Sequence, residues 1–150
     1  KARELGYEAR FLTTALAGEA CVLGQYMVKK VRDSITEGTA AFISGGEPTV
    51  TMHGAGMGGR NQEFVLGCLE DIAGTESVVA SFATDGVDGN SPAAGAIADG
   101  YTIARAQEKH LVPRRFLMEN NSYVFFSTLK DVLCTGFTGT NVMDIQIILQ

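Results

Sequence analysis

Gly54-Ala55-Gly56-Met57-Gly58-Gly59-Arg60-Asn61-Gln62-Glu63 is the stretch on which the reading of this chain turns. Four glycines lie within six residues. A strand-like run, Thr49 to His53, precedes them, and an amphipathic helix pattern follows from Asn61 to Ile72. Glycine lets backbone N–H groups approach a ligand closely, and a helix start behind such a loop suits an anion. Arg60 stands at that start with a planar fork of donors. The stretch reads as a phosphate or carboxylate site. It can equally be a glycine-rich helix entry with a surface arginine.

Outward from this stretch, strand-like and helix-like runs alternate. Tyr7–Thr14 reads as a strand, Gly18 to about Glu37 as a helix with Ala20, Gly24, Met27, Val28, Val31 and Ile35 on one face, and Ala40–Ser44 as a short strand. Beyond the glycine stretch, Ser77–Phe82 reads as a buried strand and Ala93–Gln107 as a small-residue helix behind Ser91-Pro92. A short helix follows from Pro113 to about Met118, another from Tyr123 to Asp131, and a last strand from Val142 to Leu149. The alternation predicts an α/β fold: a three-layer sandwich with a mixed, largely parallel central sheet and helices on both faces. Lys1–Leu5 looks like a last helical turn closed by Gly6, which suggests a chain cut from a longer protein.

Composition narrows the class. The 150 residues fit one domain, and 45% hydrophobic with 19% charged residues is ordinary for a globular protein. A net charge of −5 without a Lys/Arg run argues against a nucleic-acid partner. No apolar run is long enough to suggest a membrane span. Cys21, Cys68 and Cys134 are far apart and in no metal spacing, so they read as reduced thiols of a cytoplasmic protein.

The chain carries four polar, glycine-bearing loops: Ser44–Glu47, Gly54–Glu63, Thr84–Gly89 and Thr135–Asn141. Gathered at one sheet edge, they would make a cleft. Asp85 and Asp88, three apart, could hold a hard cation such as Mg²⁺ together with phosphates, or form an Asx turn. Glu47 is a base, a metal contact or a turn acid. Thr138 and Asn141 offer polar groups to a ligand or to their own loop. His53 reads as exposed or structural, and His110 as a cation near a helix end. Gly54-x-Gly56-x-x-Gly59 matches a dinucleotide fingerprint in spacing. Against that reading, the preceding strand is half polar and the expected downstream acid is late.

Four motifs in order carry a resemblance: Ser44-Gly-Gly-Glu-Pro-Thr-Val50, Gly58-Gly-Arg-Asn-Gln-Glu63, Thr84-Asp-Gly-Val-Asp-Gly89 and Thr138-Gly-Thr-Asn-Val-Met-Asp144. Together they resemble the glycerate 2-kinase family, in its C-terminal half, the MOFRL domain. Ala93–Ile97 and Asn120–Tyr123 fit the same pattern. Cys134 and Phe137 depart from it, standing where the family usually shows a basic residue and a proline.

The resemblance implies ATP-dependent phosphorylation of glycerate to 2-phosphoglycerate with Mg²⁺, in a cleft between two α/β domains. Residues 1–150 would be the C-terminal portion of a two-domain kinase, with residues 1–40 as the end of, or connection from, the preceding domain. Arg60 and Asp85 match catalytic positions. Gly45, Gly46, Glu47, Gly58, Gly59, Asn61, Thr138 and Asn141 are candidates for substrate or phosphate binding, and Asp85 and Asp88 for the metal. A missing N-terminal domain would supply an essential lysine, so the chain alone would be an incomplete enzyme. Homo-oligomerisation stays open. Two other expectations compete: an NAD(P)-dependent hydroxypyruvate reductase, and a non-catalytic folding or assembly module.

Overall fold

The helices of this protein all bury into a single cluster on one side of a six-stranded sheet. The computed structural model describes residues 1–34 and 38–150. After a short 3₁₀ turn closed by Gly6, β1 (Glu8–Leu16), α1 (Ala20–Arg32) and β2 (Ala40–Gly46) form a parallel crossover unit. Residues 35–37, with the expected Ile35 and the end of that helix, lie outside the described residues. α1 buries Ala20, Gly24, Met27, Val28 and Val31, the apolar stripe of its sequence. Lys29, Lys30 and Arg32 occupy its last turn, where they complement the helix dipole.

α2 (Arg60–Gly67) breaks at Cys68 and continues as α3 (Leu69–Ile72). α1 and α2 approach closely because Gly24 carries no side chain; a Cβ there would stand 2.1 Å from the Phe64 carbonyl oxygen. Beyond α3 come β3 (Val78–Ala83), β4 (Gly95–Asp99), α4 (Thr102–Glu108), α5 (Pro113–Met118), α6 (Ser122–Leu129), β5 (Val132–Leu133) and β6 (Asp144–Leu149). Phe42, Phe64, Leu66, Leu69, Phe125 and Phe126 are among the large side chains of the core, each worth about 1.5–3 kcal/mol on burial. Phe116, Phe125 and Phe126 meet edge to face, the arrangement aromatic quadrupoles favour.

The α/β class and the mixed sheet are as expected, and four details differ. The strand order is β1-β2-β6-β3-β4-β5, and of these neighbours only β1 and β2 run parallel. The sheet is therefore mostly antiparallel. β3 returns directly into β4 with no helix between them, and β6 inserts between β2 and β3 against both. The three-layer expectation is also revised: among the described residues, helices cover one face only. Phe42, Ser44, Gln146, Ile148, Val79 and Ser81 point under them, while alternate positions such as Ile43, Ile147 and Ala80 stay partly exposed.

The third difference is local. Ala93–Gln107 is not one helix: Gly95–Asp99 pairs with β3, and only Thr102–Glu108 is helical. Ala96 and Ala98 are fully covered by the core in that strand, so packing overrides their helical propensity. Thr49–His53 forms no strand beyond a single bridge between Thr49 and Glu19.

Candidate functional site

Four loops meet where β2 ends, β3 ends and β6 begins. Gly46 lies opposite Asp144 across the β2–β6 pair, and Ala83 lies opposite the same residue across β3–β6. The expected convergence of Ser44–Glu47, Gly54–Glu63, Thr84–Gly89 and Thr135–Asn141 at one edge is therefore present. A cleft of about 570 Å³ opens there. Glu47, Met52, Gly58, Arg60, Glu63 and Asn90 are among its walls.

Arg60, the first residue of α2, reaches back to the first residue of β6. Its Nε donates to Asp144 Oδ2 at 2.5 Å and its Nη2 to Oδ1 at 3.0 Å. The remaining Nη1 lies 3.3 Å from Glu47 Oε1 in the cleft wall. Asp144 is 1% exposed and Arg60 half-buried, so the fork is fixed on its inner side and open on its outer side. The Asp144 bond is the main cause that raises the Arg60 pKa further above its ordinary value. Arg60 is a permanently charged, pre-aimed donor facing the cleft.

The glycine loop works differently from the phosphate cradle its composition suggests. Asn120 Oδ1 accepts the N–H groups of His53 (2.6 Å) and Gly54 (2.8 Å). Asn121 Oδ1 accepts the Met57 N–H and Asn90 Oδ1 the Gly58 N–H. The Gly56 N–H goes to the Glu119 carbonyl. Glycine is needed here for close packing on the α5–α6 turn; a Cβ on Gly54 would lie 2.3 Å from the Glu119 carbonyl oxygen. With the N–H groups of Gly54, Gly56, Met57 and Gly58 engaged, and no regular strand before it, the loop lacks the context of a dinucleotide fingerprint.

Asp88 is likewise revised. It is 1% exposed, and its two oxygens accept the backbone and side-chain N–H groups of Asn61 and Gln62, at 2.9–3.2 Å. Four donors fill its acceptor sites, which closes it to a metal. It satisfies the free N–H groups at the α2 N-terminus instead. Asn61 turns inward with it, accepting from the Ser81 hydroxyl, and leaves the cleft. Gly59 packs on Asp88, where a Cβ would come within 2.5 Å.

Asp85 stands apart from the Arg60 cleft, in the neighbouring loops. Its Oδ1 accepts the Val87 N–H, and Asn141 Nδ2 donates to its Oδ2 at 3.2 Å. Thr138 bonds the Thr84 carbonyl. Asp85, Thr138 and Asn141 thus form one group and Glu47, Gly58, Gly59 and Arg60 line the cleft, both at the same sheet edge. Gly45 and Gly46 end β2 beneath them. His53 is exposed and Cys134 is exposed, whereas Cys68 is buried; all three thiols are free.

Sequence reading missed Glu63 and Asn120. Glu63 is 4% exposed, borders the cleft and a neighbouring 290 Å³ cavity, and accepts a 2.9 Å bond from Asn120 Nδ2. Burial pushes the Glu63 carboxyl up from its ordinary range. A polar residue at an otherwise core-facing helical position was the available signal. Among the described residues, no group of three or more His, Cys, Asp or Glu gathers as a metal cage, and no helix is long and apolar enough to cross a membrane.

Comparison with known proteins places this geometry. The chain is 39% identical to glycerate 2-kinase of Pyrococcus horikoshii over 98% of its own length and 35% of that protein's. A crystal structure of Thermotoga maritima glycerate kinase superposes with a TM-score of 0.93 at 38% identity, over 99% of this chain and 37% of that one. An Agrobacterium vitis relative, 36% identical over 92% of this chain and 33% of its own length, bears a provisional hydroxypyruvate reductase name. The chain spans about a third of the length of the curated relatives it matches. Residues 40–144 match the MOFRL family, 105 of 150 positions that include all four loops. The chain belongs to the MOFRL family.

Proposed function

We propose that this chain is the MOFRL portion of a two-domain glycerate 2-kinase, which transfers the γ-phosphoryl group of ATP to the 2-hydroxyl of glycerate. The observation that carries the reading is Arg60, locked by Asp144 and presenting Nη1 to an open cleft. Glycerate brings a carboxylate and ATP a triphosphate, and phosphoryl transfer depends chiefly on positioning and charge neutralisation. The glycerate kinase names of the relatives support the substrate.

In this reading Arg60 holds the substrate carboxylate or the charge developing on the transferring phosphoryl group. Glu47, Gly58 and Gly59 border that position. Asp85, steadied by Asn141, fits the single-carboxylate demand of a Mg²⁺ ion whose other ligands are phosphate oxygens and water. The ion supplies neutralisation of phosphate charge when bound. Asp88 is not used, since its acceptors are filled. The missing domain closes the cleft from the loop side and brings the nucleotide.

The test is phosphorus NMR of D-glycerate and Mg·ATP incubated with the polypeptide as expressed from its own reading frame. Formation of 2-phosphoglycerate, lost in Arg60→Lys, is expected. Reduction of hydroxypyruvate by NADH or NADPH without any phosphoryl transfer would replace this reading with the reductase one.

A further inference from the structure

Glu63 sits in the inner wall of the cleft with one of its two carboxyl oxygens uncommitted. Its Oε1 accepts from Asn120 Nδ2 at 2.9 Å. Asn120 is fixed in that orientation. Its Oδ1 takes the N–H groups of His53 and Gly54, and its Nδ2 also donates to the Thr51 carbonyl. Among the described residues, no side chain or backbone group donates to Glu63 Oε2. The residue lines both the 570 Å³ cleft and the adjoining 290 Å³ cavity, so that oxygen is left to whatever fills them. Asn90, the other amide of the wall, is tied to Gly58 and Gly56.

Burial deepens along this wall, from exposed Glu47 through half-buried Arg60 to buried Glu63. Arg60 and Glu63 are three apart on α2 and so are neighbours on its surface. An anionic group that meets Arg60 therefore has a carboxyl beside it, further in. A second anion there would be repelled, and Glu19 and Asp88 add to the negative surroundings. A hydroxyl fits: it donates one proton and brings no charge. We propose that Glu63 determines specificity in this cleft, its Oε2 accepting the proton of the non-reacting hydroxyl of a short dihydroxy acid. In glycerate this is the 3-hydroxyl. The assignment rests on the kinase reading and deepens it. The reacting 2-hydroxyl stays toward the open mouth beside Arg60. An acid without the 3-hydroxyl leaves the buried carboxyl unpaired, which is how a site built for a hydroxyl rejects its deoxy analogue.

The test uses the polypeptide as expressed from its own reading frame, with D-glycerate as substrate and D-lactate, which lacks the 3-hydroxyl, as competitor. Phosphorus NMR with Mg·ATP gives the KM of the first and the inhibition constant of the second. Wild type is expected to hold glycerate at least about tenfold better than lactate. That preference should shrink at least about threefold in Glu63→Gln, whose amide keeps an oxygen for Asn120 and turns N–H groups to the cleft. It should shrink further in Glu63→Leu. A merely structural role would weaken both acids alike and leave the ratio unmoved. Calorimetric titration with the same two acids gives the ratio for any variant that turns over slowly, and Glu63→Gln decides if Glu63→Leu does not fold. A preference of wild-type size in the folded variants would overturn the proposal and leave the kinase reading standing. So would a wild type that binds both acids equally. Failure of wild type to make 2-phosphoglycerate would overturn both.

Discussion

Arg60 and Asp144 are 84 residues apart in sequence and share a two-bond ion pair at the edge where β2, β3 and β6 meet. The pair ties the start of α2 to the start of β6, and so holds the cleft wall to the sheet. Its inner partner is buried, so breaking it from one side leaves a charge without compensation. Arg60→Ala is expected to cost about 2–4 kcal/mol in chemical denaturation, below the full buried-pair value because Arg60 is partly solvated. Asp144→Asn should cost less, and the double variant should show a coupling of about 1–3 kcal/mol. Additive effects would show that the pair does not act as a unit.

Asp88 gives a second prediction. An amide at this position turns one acceptor into a donor aimed at the N–H groups of Asn61 or Gln62. Asp88→Asn is expected to destabilise the fold by about 2–3 kcal/mol in urea titrations. Unchanged stability with weakened Mg²⁺ binding would restore the metal role that the buried geometry denies it.

Glu63 titrates in the other direction from a surface acid. Burial raises its folded pKa above the ordinary 4.5, against the bond from Asn120 and the charge of His53, with Glu19 and Asp88 adding to the rise. Below 4.5 the group is protonated whether folded or unfolded, and its contribution to stability is complete. As pH climbs through the folded value the unfolded chain releases its proton first, and stability falls. Glu63→Gln, which keeps an oxygen for Asn120, should flatten that decline in urea midpoints taken from pH 4.5 to about 7. An identical pH slope in the variant would mean that Glu63 is not the group responsible.

The loop glycines test the packing account. Gly54→Ala forces a Cβ against the Glu119 backbone, which has no side-chain freedom to yield. A loss of about 1–3 kcal/mol is expected, read as a lowered melting temperature. Gly136→Ala meets open space at a φ of +66° and should cost only the local strain, about 1 kcal/mol. Equal losses at the two positions would contradict close packing as the reason for Gly54.

Much of this was legible in the chain. The α1 stripe, the break at Gly6, and the strands around Phe42, Val79 and Ile148 follow from local periodicity. So does the gathering of polar loops at strand ends. What the sequence concealed was non-local. Gly95–Asp99 reads as helix because alanine favours one, and only pairing with β3 makes it a strand. The alternation of elements predicts helices on both faces, yet no described helix packs on the outer positions Ile43, Ile145 and Ile147. At the site, Arg60 stood out by its place after the glycines. Its partner Asp144 was one acid within a motif, and Asp88 showed no sign that its lone pairs were spent on a helix start. Asn90, Asn120 and Asn121, far from it in sequence, hold the loop whose glycines drew the first attention.

The central claim is that Arg60 receives substrate in the cleft of a glycerate kinase. Its most direct test is calorimetric titration of the polypeptide from its own reading frame with glycerate, Mg·ATP and NADH separately, in wild type and Arg60→Lys. Lysine keeps the charge and loses the two-bond fork. The account predicts binding of glycerate or Mg·ATP that weakens at least about tenfold in the variant, equivalent to 1.4 kcal/mol. Binding of NADH alone, or substrate binding indifferent to Arg60, would contradict it.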